Sequence, residues 1–453
     1  MNLDHPSARW LKRVKRDAGP VYQALVDALA TAIRDGELQQ GDQLPPQRTV
    51  AALLGVDFTT VTRAYGLART RGLVAGAVGR GTFVGAPTVD EDAGVVDLSM
   101  NLPPPPYGVS LAGLLKDTTR AILDHSDPAV LMSYHAGPGT LGQRAAAAAW
   151  LAPCLGEVAL DRILVCAGAQ TGLAAVLAVV TRPGDALIVE PLTYPGLIAV
   201  AARQGLRLVP CPVDGEGFAP EALERLCAVE RPAALYLVPT ARNPTATTMG
   251  LERRRTVAAI AARADVAIVE DDPYSRLFDP PLPALASVAP ERTWHVATLS
   301  KCLSPGLRTA FVVAPDAMAA ERVGAALRAL SLMPAPLMTA VATRWIREGA
   351  AETLLAGVRT EARARRAIAA GILPGAQGAA GSVHVWLDLP EGWPPEKLHG
   401  LARGRGLALV AADAFAVGPV TRNGVRISLG GPGSRAVLTG ALNSVAAMLA
   451  ETA

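Results

Sequence analysis

The chain has 453 residues, of which half are hydrophobic and 18% are charged, so it is long enough for two or three domains with sizeable cores. Its formal net charge of +3 is uneven, because residues 1–85 hold 11 Lys and Arg against 7 Asp and Glu. That portion carries +4 and the remainder carries −1. A basic N-terminal portion indicates nucleic-acid binding, with a solvated charged face as the alternative.

Cysteine usage and the length of the apolar runs argue against a disulfide-rich protein, a cysteine metal site and a membrane-spanning protein. The five cysteines are scattered and no pair has metal-ligand spacing, so we expect reduced thiols and no metal site. No apolar run follows the basic residues at 9–16, and the longest apolar runs, such as 173–180, are too short to span a bilayer. We therefore expect a cytoplasmic protein without a membrane partner.

The N-terminal part of the chain predicts an arm followed by a small helical domain. Residues 1–17 are polar and basic, which predicts an arm. Apolar residues then recur at helical spacing between Pro20 and a stop at Gly36, and a second short helix ends at Gly55. Asp57 can cap a third helix that ends before Gly72. A hairpin then follows, so residues 18–85 predict a winged helix-turn-helix.

Three blocks of this domain resemble the DNA-binding domain of the GntR regulators in order and spacing: LPPQR at 44–48, VTRAY at 61–65 and GRGTFV at 79–84. The resemblance implies that Arg48, Thr60 and Arg63 approach double-stranded DNA and that Gly81 lies in the wing. The start of the third helix would enter the major groove. For Arg63, a phosphate contact or simple solvent exposure is the alternative. Many relatives have an arginine where this chain has Phe58, which puts one base contact in doubt.

The rest of the chain predicts a linker and an α/β fold. Residues 86–98 are acidic and aperiodic, as in a short linker. Beyond them, buried-strand patterns alternate with Ala-rich helices, which predicts a mostly parallel sheet. Strands are predicted at 163–167, 186–190, 235–238, 266–270, 295–299 and 310–313, and helices include 170–180 and 251–263. From about residue 330 we expect a long helix and a smaller α+β region with strands at 383–387 and 425–428.

The segment SKCLSPGLR at 300–308 carries the strongest chemical signal. Lys301 can form a Schiff base with an aldehyde, and Arg308, beyond a Pro-Gly bend, can grip a phosphate with its planar fork. Pyridoxal 5'-phosphate carries both groups on one ring. For this segment alone, the alternative is a surface lysine and arginine that flank a loop.

Other predicted strand ends carry suitable partners for such a cofactor. The backbone at Ala169 and Gln170 opens a helix and can bind phosphate, although an ordinary strand–helix turn is the alternative. Asp271 can pair with a protonated pyridine nitrogen, and helix capping is the alternative for it. Asn243 can donate to the phenolic oxygen of the ring, and Tyr194 can stack on the ring face.

This ordered set resembles the fold-type I aminotransferases over about residues 99–453. The resemblance implies a large α/β domain with a mostly parallel sheet and a small α+β domain at about 330–453. It implies that Lys301 forms the Schiff base and that Asp271 pairs with the pyridine nitrogen. Asn243 and Tyr274 would contact the phenolic oxygen, and Tyr194 would stack on the ring. The phosphate would be held by Ala169, Gln170, Ser300 and Arg308. It further implies that Arg426 receives a substrate carboxylate and that Tyr134 reaches the phosphate in a partner subunit. Ala246 and Ala310 replace family glycines without removing a reactive group.

A GntR-type winged helix ahead of an aminotransferase-like domain is similar to the MocR subfamily of transcription regulators. That resemblance implies a homodimer that binds an operator and senses pyridoxal phosphate or a small amino compound. The compound would displace Lys301, and closure of the small domain would shift the population of DNA-binding states. Two alternatives remain. One is a working aminotransferase with a DNA-binding appendage, in which freed Lys301 is the base of a 1,3-proton shift. The other is a regulator whose cofactor is merely structural.

Overall fold

The computed structural model describes residues 6–14, 20–35, 37–38, 41–70, 73–77, 81–84, 95–135, 137–390, 393–420 and 422–450. The chain divides into two compact units, Met1–Gly94 and Val95–Ala453. Several predicted features lie outside the described residues, namely the helix stops Gly36 and Gly72, residues 79–80 of the third GntR-like block, residues 1–5 and 15–17 of the arm, and residues 86–94 of the linker. Among the described residues, no helix is long and apolar enough to cross a membrane.

The first unit has the architecture of a winged helix-turn-helix. Its described elements are α1 (Val21–Arg34), α2 (Gln47–Leu54), α3 (Phe58–Thr70), β1 (Val74–Ala77) and β2 (Gly81–Val84). The two strands are antiparallel, with Val74 opposite Val84. Both α1 and α2 pack against α3. The predicted helices and hairpin are therefore confirmed.

Local chemistry explains where the second and third helices meet. Gly55 ends α2 with a φ of 60°, in the left-handed region that glycine adopts at little cost. Asp57 precedes α3, and its Oδ1 accepts a 2.7 Å hydrogen bond from the backbone N–H of Thr59, so the predicted cap is present. Val61 and Tyr65 follow one turn apart and are buried in the core of the unit.

The described part of the predicted arm is folded into this unit. Residues Pro6–Arg13 form a 3₁₀ helix, and Trp10 within it is fully buried. Trp10 belongs to the same hydrophobic core as Leu25. Arg13 donates to Asp35 at 2.5 Å and thereby ties the segment to the end of α1. The segment is polar on average, but burial of one large aromatic side chain fixes it to the core.

The second unit is built on a seven-stranded sheet, which smaller sheets accompany. The described strands of the whole unit are β3 (Val96–Asp97), β4 (Ile163–Cys166), β5 (Ala186–Val189), β6 (Arg207–Pro210), β7 (Val213–Asp214), β8 (Gly217–Phe218), β9 (Ala234–Leu237), β10 (Ala267–Asp272), β11 (Thr293–Thr298), β12 (Ala310–Val313), β13 (His384–Asp388), β14 (Leu407–Ala408), β15 (Val410–Ala411) and β16 (Gly424–Ser428). The large sheet has the order β4-β12-β11-β10-β9-β5-β6. β12 is antiparallel to both of its neighbours, and the other pairs are parallel. The prediction of a mostly parallel sheet is confirmed.

Helices cover this sheet and build the smaller region. They are α4 (Leu111–His125), α5 (Pro128–Leu131), α6 (Leu141–Leu155), α7 (Ala169–Val180), α8 (Pro195–Gln204), α9 (Pro220–Glu230), α10 (Leu251–Ala264), α11 (Leu285–Val288), α12 (Ala317–Ser331), α13 (Pro336–Arg347), α14 (Ala350–Ile372), α15 (Pro395–Gly404) and α16 (Arg435–Ala450). Leu187 and Val189 of β5 enter one core, whereas Ala186 and Ile188 enter another. Because both faces of its central strands are buried, strands such as β5 and β9 are continuous apolar runs.

A separate hydrophobic core belongs to the smaller region, whose sheet has the order β13-β16-β15. The predicted start of this region, at about residue 330, is not a sharp boundary in the structure, because helix α14 contributes side chains to both hydrophobic cores. Leu354 and Val358 contribute to the core of the large sheet, whereas Ala369 contributes to the smaller core. Leu98 also joins the smaller core, and β3 pairs with β14. The last residues of the predicted linker therefore belong to the second unit.

Candidate functional site

One edge of the large sheet collects residues from several strands. The carboxyl ends of β4, β5, β9, β10 and β11 meet there, because parallel strands end at the same side of a sheet. Each end is followed by a residue predicted to bind the cofactor: Ala169 after β4, Tyr194 after β5, Asn243 after β9, Tyr274 after β10, and Lys301 after β11.

A cavity of about 400 Å³ opens at this edge. Ten of the eleven residues predicted for the cofactor and substrate line it, namely Ala169, Gln170, Tyr194, Asn243, Asp271, Tyr274, Ser300, Lys301, Arg308 and Arg426. Tyr134 is not among the lining residues, and it is 80% exposed. The second unit thus brings together every residue predicted for the cofactor and substrate except the one expected to reach a partner subunit.

Lys301 is the reactive amine of the cavity. Its Nζ donates a 2.6 Å hydrogen bond to the main-chain carbonyl of Asn101. Burial, together with the nearby cations Arg426 and Arg308, lowers the pKa of Lys301 to about 8, and the negative charge of Asp271 opposes this shift. A larger share of this amine is therefore neutral near physiological pH than for an exposed lysine, which favours attack on an aldehyde.

Asp271 is the buried carboxylate of the cavity. Its Oδ2 accepts a 2.7 Å hydrogen bond from the hydroxyl of Tyr236. Its Oδ1 is buried and has no hydrogen-bond partner among the described residues. Burial raises the pKa of Asp271 to about 6. A cationic N–H donor placed at Oδ1 would satisfy this atom.

The start of α7 and Arg308 form a cradle for an anion. Arg308 Nη2 donates to the carbonyl of Ala167 at 3.2 Å, so its guanidinium lies beside the first turn of α7. Gly168 makes this approach possible, because a Cβ there would lie 2.5 Å from Arg308 Nη2 and because its φ is +100°. The free backbone N–H groups of a helix start, a guanidinium and the nearby Ser300 suit a phosphate.

Arg426 lines the cavity from β16, a strand of the smaller sheet. Its Nη1 donates a 2.7 Å hydrogen bond to Asn243 Oδ1, and its Nη2 donates to the carbonyl of Ser99. The guanidinium also stacks 5.0 Å from the ring centre of Phe415. The guanidinium is buried, which lowers the pKa of Arg426. A planar cation in such a cavity is suited to a carboxylate.

The two tyrosines of the cavity are held by hydrogen bonds. Tyr194 donates to Gln170 Oε1 at 3.0 Å, and Gln170 Nε2 donates to the carbonyl of Gly196 at 2.8 Å. The hydroxyl of Tyr274 accepts a 3.0 Å hydrogen bond from Asn101 Nδ2. Burial raises the pKa of Tyr274 to about 12, so its hydroxyl is neutral near pH 7.

Among the residues that the sequence-based prediction missed, Ser99, Asn101 and Tyr236 form hydrogen bonds with predicted site residues. Ser99 and Asn101 lie just before the run of four prolines at 103–106. Their main-chain carbonyls, which contact Arg426 and Lys301, carry no side-chain signature in the sequence. Tyr236 sits within a buried apolar strand, where a tyrosine is ordinarily a core residue.

The residues present fit pyridoxal 5'-phosphate. The cavity offers an amine of lowered pKa at Lys301, a buried carboxylate oxygen without a partner at Asp271, and an anion cradle that depends on Gly168. These groups match the aldehyde, the ring nitrogen and the phosphate of that molecule. Among the described residues, no group of three or more His, Cys, Asp or Glu could hold a metal ion.

The first unit presents its predicted DNA-binding residues at the surface. Arg48 on α2 and Arg63 on α3 are exposed, and Thr60 is half-buried. The guanidinium of Arg63 lies 4.1 Å from the ring centre of Tyr22 on α1, which orients it. Gly81 opens β2 with a φ of +109°, a conformation that suits glycine at the tip of a wing.

Comparisons with known proteins agree with this architecture. The family described as "Aminotransferase class I and II" matches residues 93–369, and "Bacterial regulatory proteins, gntR family" matches residues 21–84. An uncharacterised HTH-type transcriptional regulator of Bacillus subtilis, YdeF, is 32% identical over 93% of each chain. The HTH-type pyridoxine biosynthesis transcriptional regulator PdxR of Corynebacterium glutamicum is 27% identical, over 90% of this chain and 91% of its own.

A solved structure shares the fold of the second unit. It is LysN, the alpha-aminoadipate aminotransferase of Thermus thermophilus, complexed with N-(5'-phosphopyridoxyl)-L-leucine. The TM-score is 0.73 at 26% identity, and the match covers 79% of this chain and 92% of LysN.

Fold and site together define a protein that joins a winged-helix DNA-binding unit to an aminotransferase-like unit. The chain belongs to the aminotransferase class I and II family and, through its first unit, to the gntR family of bacterial regulators. This is the domain combination expected from the resemblance to the MocR subfamily. The predictions of an α/β fold and of pyridoxal 5'-phosphate as cofactor are confirmed.

Proposed function

We propose that the protein is a transcription regulator of the MocR type. It binds operator DNA through its first unit and senses pyridoxal 5'-phosphate, or an amino compound that reacts with it, at Lys301. One observation carries this proposal. A single chain holds a winged helix with two exposed arginines, Arg48 and Arg63, and a cavity lined by ten of the eleven residues predicted for the cofactor and substrate.

In this proposal the cofactor-binding residues act as a preorganised set. Lys301 holds the cofactor covalently, and Asp271 Oδ1 faces the ring nitrogen. Asn243 and Tyr274 contact the phenolic oxygen, Tyr194 stacks on the ring, and Ala169, Gln170, Ser300 and Arg308 hold the phosphate. When bound, the cofactor supplies an aldehyde carbon for amine exchange and a ring that withdraws electrons.

The effector is proposed to be an amino compound that carries a carboxylate. Arg426 is the group placed to receive that carboxylate. Its present partners are an amide oxygen of Asn243 and the carbonyl of Ser99, both neutral, and a carboxylate is the stronger acceptor. Effector binding would then shift the population of DNA-binding states by its differential affinity for them.

Two features of the exposed surface support a homodimer. Tyr134 is 80% exposed, as a residue that completes a neighbouring site would be in one chain alone. Met132 and Leu141 close by in the chain are 81% and 67% exposed, and such apolar exposure is typical of an interface. A homodimer would present two winged helices to paired half-sites. We also propose a cytoplasmic location, because a bacterial regulator of the gntR family acts where the DNA is.

A second candidate function is that of a working aminotransferase. The lowered pKa of Lys301, about 8, favours this activity, because a base for proton transfer works best when its pKa lies near the operating pH. Multiple turnover with an amino acid and a 2-keto acid separates this candidate from the regulator. A regulator is expected to stop after one exchange.

The direct test is a mobility-shift assay on the upstream region of the gene, with and without pyridoxal phosphate and candidate amino acids. Specific binding that changes with the ligand supports the regulator. If the protein binds this region no more tightly than random duplex under all conditions, and turns over amino acids, the aminotransferase is the correct assignment. A spectral response of the bound cofactor to amines separates sensing from a purely structural cofactor.

A further inference from the structure

Tyr236 is a buried tyrosine next to the cofactor cavity to which no role has been assigned. It lies on β9 beside β10, fully buried, and its register partner is Val269. Asp271 follows Val269 by two positions and therefore projects to the same face of the sheet. This diagonal placement brings the hydroxyl of Tyr236 to 2.7 Å from Asp271 Oδ2.

The hydrogen bond makes the two oxygens of Asp271 inequivalent. Oδ2 is engaged by Tyr236, whereas Oδ1 has no partner among the described residues. Asp271 lines the cavity. Because Oδ2 is held within the sheet, the carboxylate has one fixed orientation and offers Oδ1 to a ligand.

The same hydrogen bond opposes the cost of burying the charge. Burial raises the pKa of Asp271 and the hydrogen bond from Tyr236 opposes that rise, so that the resulting pKa is about 6. Burial, the charge of Asp271 and their hydrogen bond together raise the pKa of Tyr236 well above 10, so its hydroxyl remains a donor throughout the physiological range. Glu270 and Asp272 project to the other face, where they face His295 instead.

We propose that Tyr236 is a positioning residue that keeps Asp271 ionised and directs Oδ1 to the ring nitrogen of the cofactor. Tyr236 does not touch the cofactor, and it acts through Asp271. It thereby sets the protonation state of the ring nitrogen and, with it, how strongly the ring withdraws electrons. This inference rests on the proposed cofactor-binding role of the cavity.

The test uses holoprotein loaded with pyridoxal phosphate that is ¹⁵N-labelled at the ring nitrogen. The nitrogen chemical shift is followed against pH for the wild type and for Tyr236→Phe, which removes only the hydroxyl. We expect the ring nitrogen of the variant to lose its proton about one pH unit lower, a tenfold change in the protonation equilibrium. Tyr65→Phe is the matched control, because it removes a buried hydroxyl that donates to Pro45 in the other unit.

Two further variants separate positioning from a structural effect. In an Asp271→Asn background, Tyr236→Phe is expected to cause no additional change, since the residue through which it acts is gone. Site-specific 3-fluorotyrosine at position 236 is a stronger donor of nearly the same shape, and we expect it to shift the titration in the opposite direction. This substitution keeps the inference testable even if Tyr236→Phe does not fold.

The outcomes are distinct. An unchanged nitrogen titration in both Tyr236→Phe and the fluorinated protein would overturn the inference, and so would an equal change with and without Asp271. A wild-type protein that does not retain pyridoxal phosphate would instead refute the cofactor-binding role itself.

Discussion

The amine of Lys301 and the main-chain carbonyl of Asn101 are 200 positions apart in the sequence and 2.6 Å apart in the structure. This hydrogen bond connects the end of β11 to the first residues of the second unit. Asn101 is itself buried, and its amide nitrogen donates to the hydroxyl of Tyr274. The segment that enters the second unit thus contacts the residues proposed to capture the cofactor.

Lys301→Ala is expected to abolish covalent attachment of pyridoxal phosphate. The chain has five lysines, and Lys301 is the one that lines the cavity. Borohydride reduction followed by peptide mass spectrometry should place the cofactor on Lys301 in the wild type. Lys116→Ala, on the exposed part of α4, is the matched control and should label normally. A reducible adduct that persists in Lys301→Ala would show that the assignment is wrong.

The rate of cofactor capture should depend on pH with a midpoint near 8. The neutral amine attacks the aldehyde, and burial lowers the pKa of Lys301 to about 8. Below that pH the protonated fraction dominates, so the rate should rise about tenfold per unit and then level off. Stopped-flow absorbance on apoprotein measures this. Arg426→Gln removes a cation that lowers the pKa of Lys301 and should move the midpoint upward. A midpoint near 10.5 in the wild type would contradict the prediction.

Gly168→Ala should weaken retention of the cofactor by at least tenfold. The added Cβ would lie 2.5 Å from Arg308 Nη2 and would displace the guanidinium from the start of α7. Gly184→Ala is the matched control, because Gly184 has a similar φ of +92° but nothing within 4 Å of the added Cβ. Equilibrium dialysis of pyridoxal phosphate compares the two variants. Equal losses would attribute the effect to backbone strain alone.

Arg426→Ala should weaken the response to amino acids by about ten- to a hundredfold, because a charge-assisted hydrogen bond to a carboxylate contributes roughly 1.5–3 kcal/mol. The measurement is spectral titration with an amino acid and with the corresponding amine that lacks the carboxylate. The variant should respond equally to the two compounds, whereas the wild type should prefer the amino acid. If the variant still prefers the amino acid to the amine, a residue other than Arg426 binds the carboxylate.

Arg48→Ala and Arg63→Ala should weaken operator binding by about 1–3 kcal/mol where the side chain makes a bidentate base contact, and by less for a lone phosphate contact. Binding should also weaken steeply with salt, as released counterions supply much of the affinity. Arg120→Ala is a suitable control, since Arg120 is an exposed arginine of the second unit. Retention of pyridoxal phosphate should be unchanged in all three variants.

Most of the architecture could be predicted from the sequence because both faces of the large sheet are buried. Continuous apolar strands such as β5 and β9 are recognisable without knowing their neighbours. β6 was not predicted, since it is partly exposed and ends in proline, and so resembles a loop. The winged helix could be predicted from a different signal, the helical spacing of apolar residues together with the turn residues between the helices.

The residues of the site divide along similar lines. Lys301, Asp271 and Arg308 lie at or near the ends of apolar strands and carry charges, so they could be predicted from the sequence. Tyr236 could not be predicted, because its importance depends on a cross-strand distance to Asp271. Asn101 acts partly through its main-chain carbonyl, which every residue possesses. Contacts of this kind become visible only when the register and the chain path are known.

The burial of Trp10 shows that the hydrophobic core of the first unit begins earlier in the chain than its similarity to the gntR family. Similarity to the gntR family begins at residue 21, yet Ala8, Trp10 and Leu11 are already part of the hydrophobic core of the first unit. A DNA-binding unit transplanted from residue 21 onward would therefore carry the recognition helix but leave a gap in its core. Exchange of this unit between proteins therefore requires a junction upstream of residue 8, outside the segment that matches the gntR family.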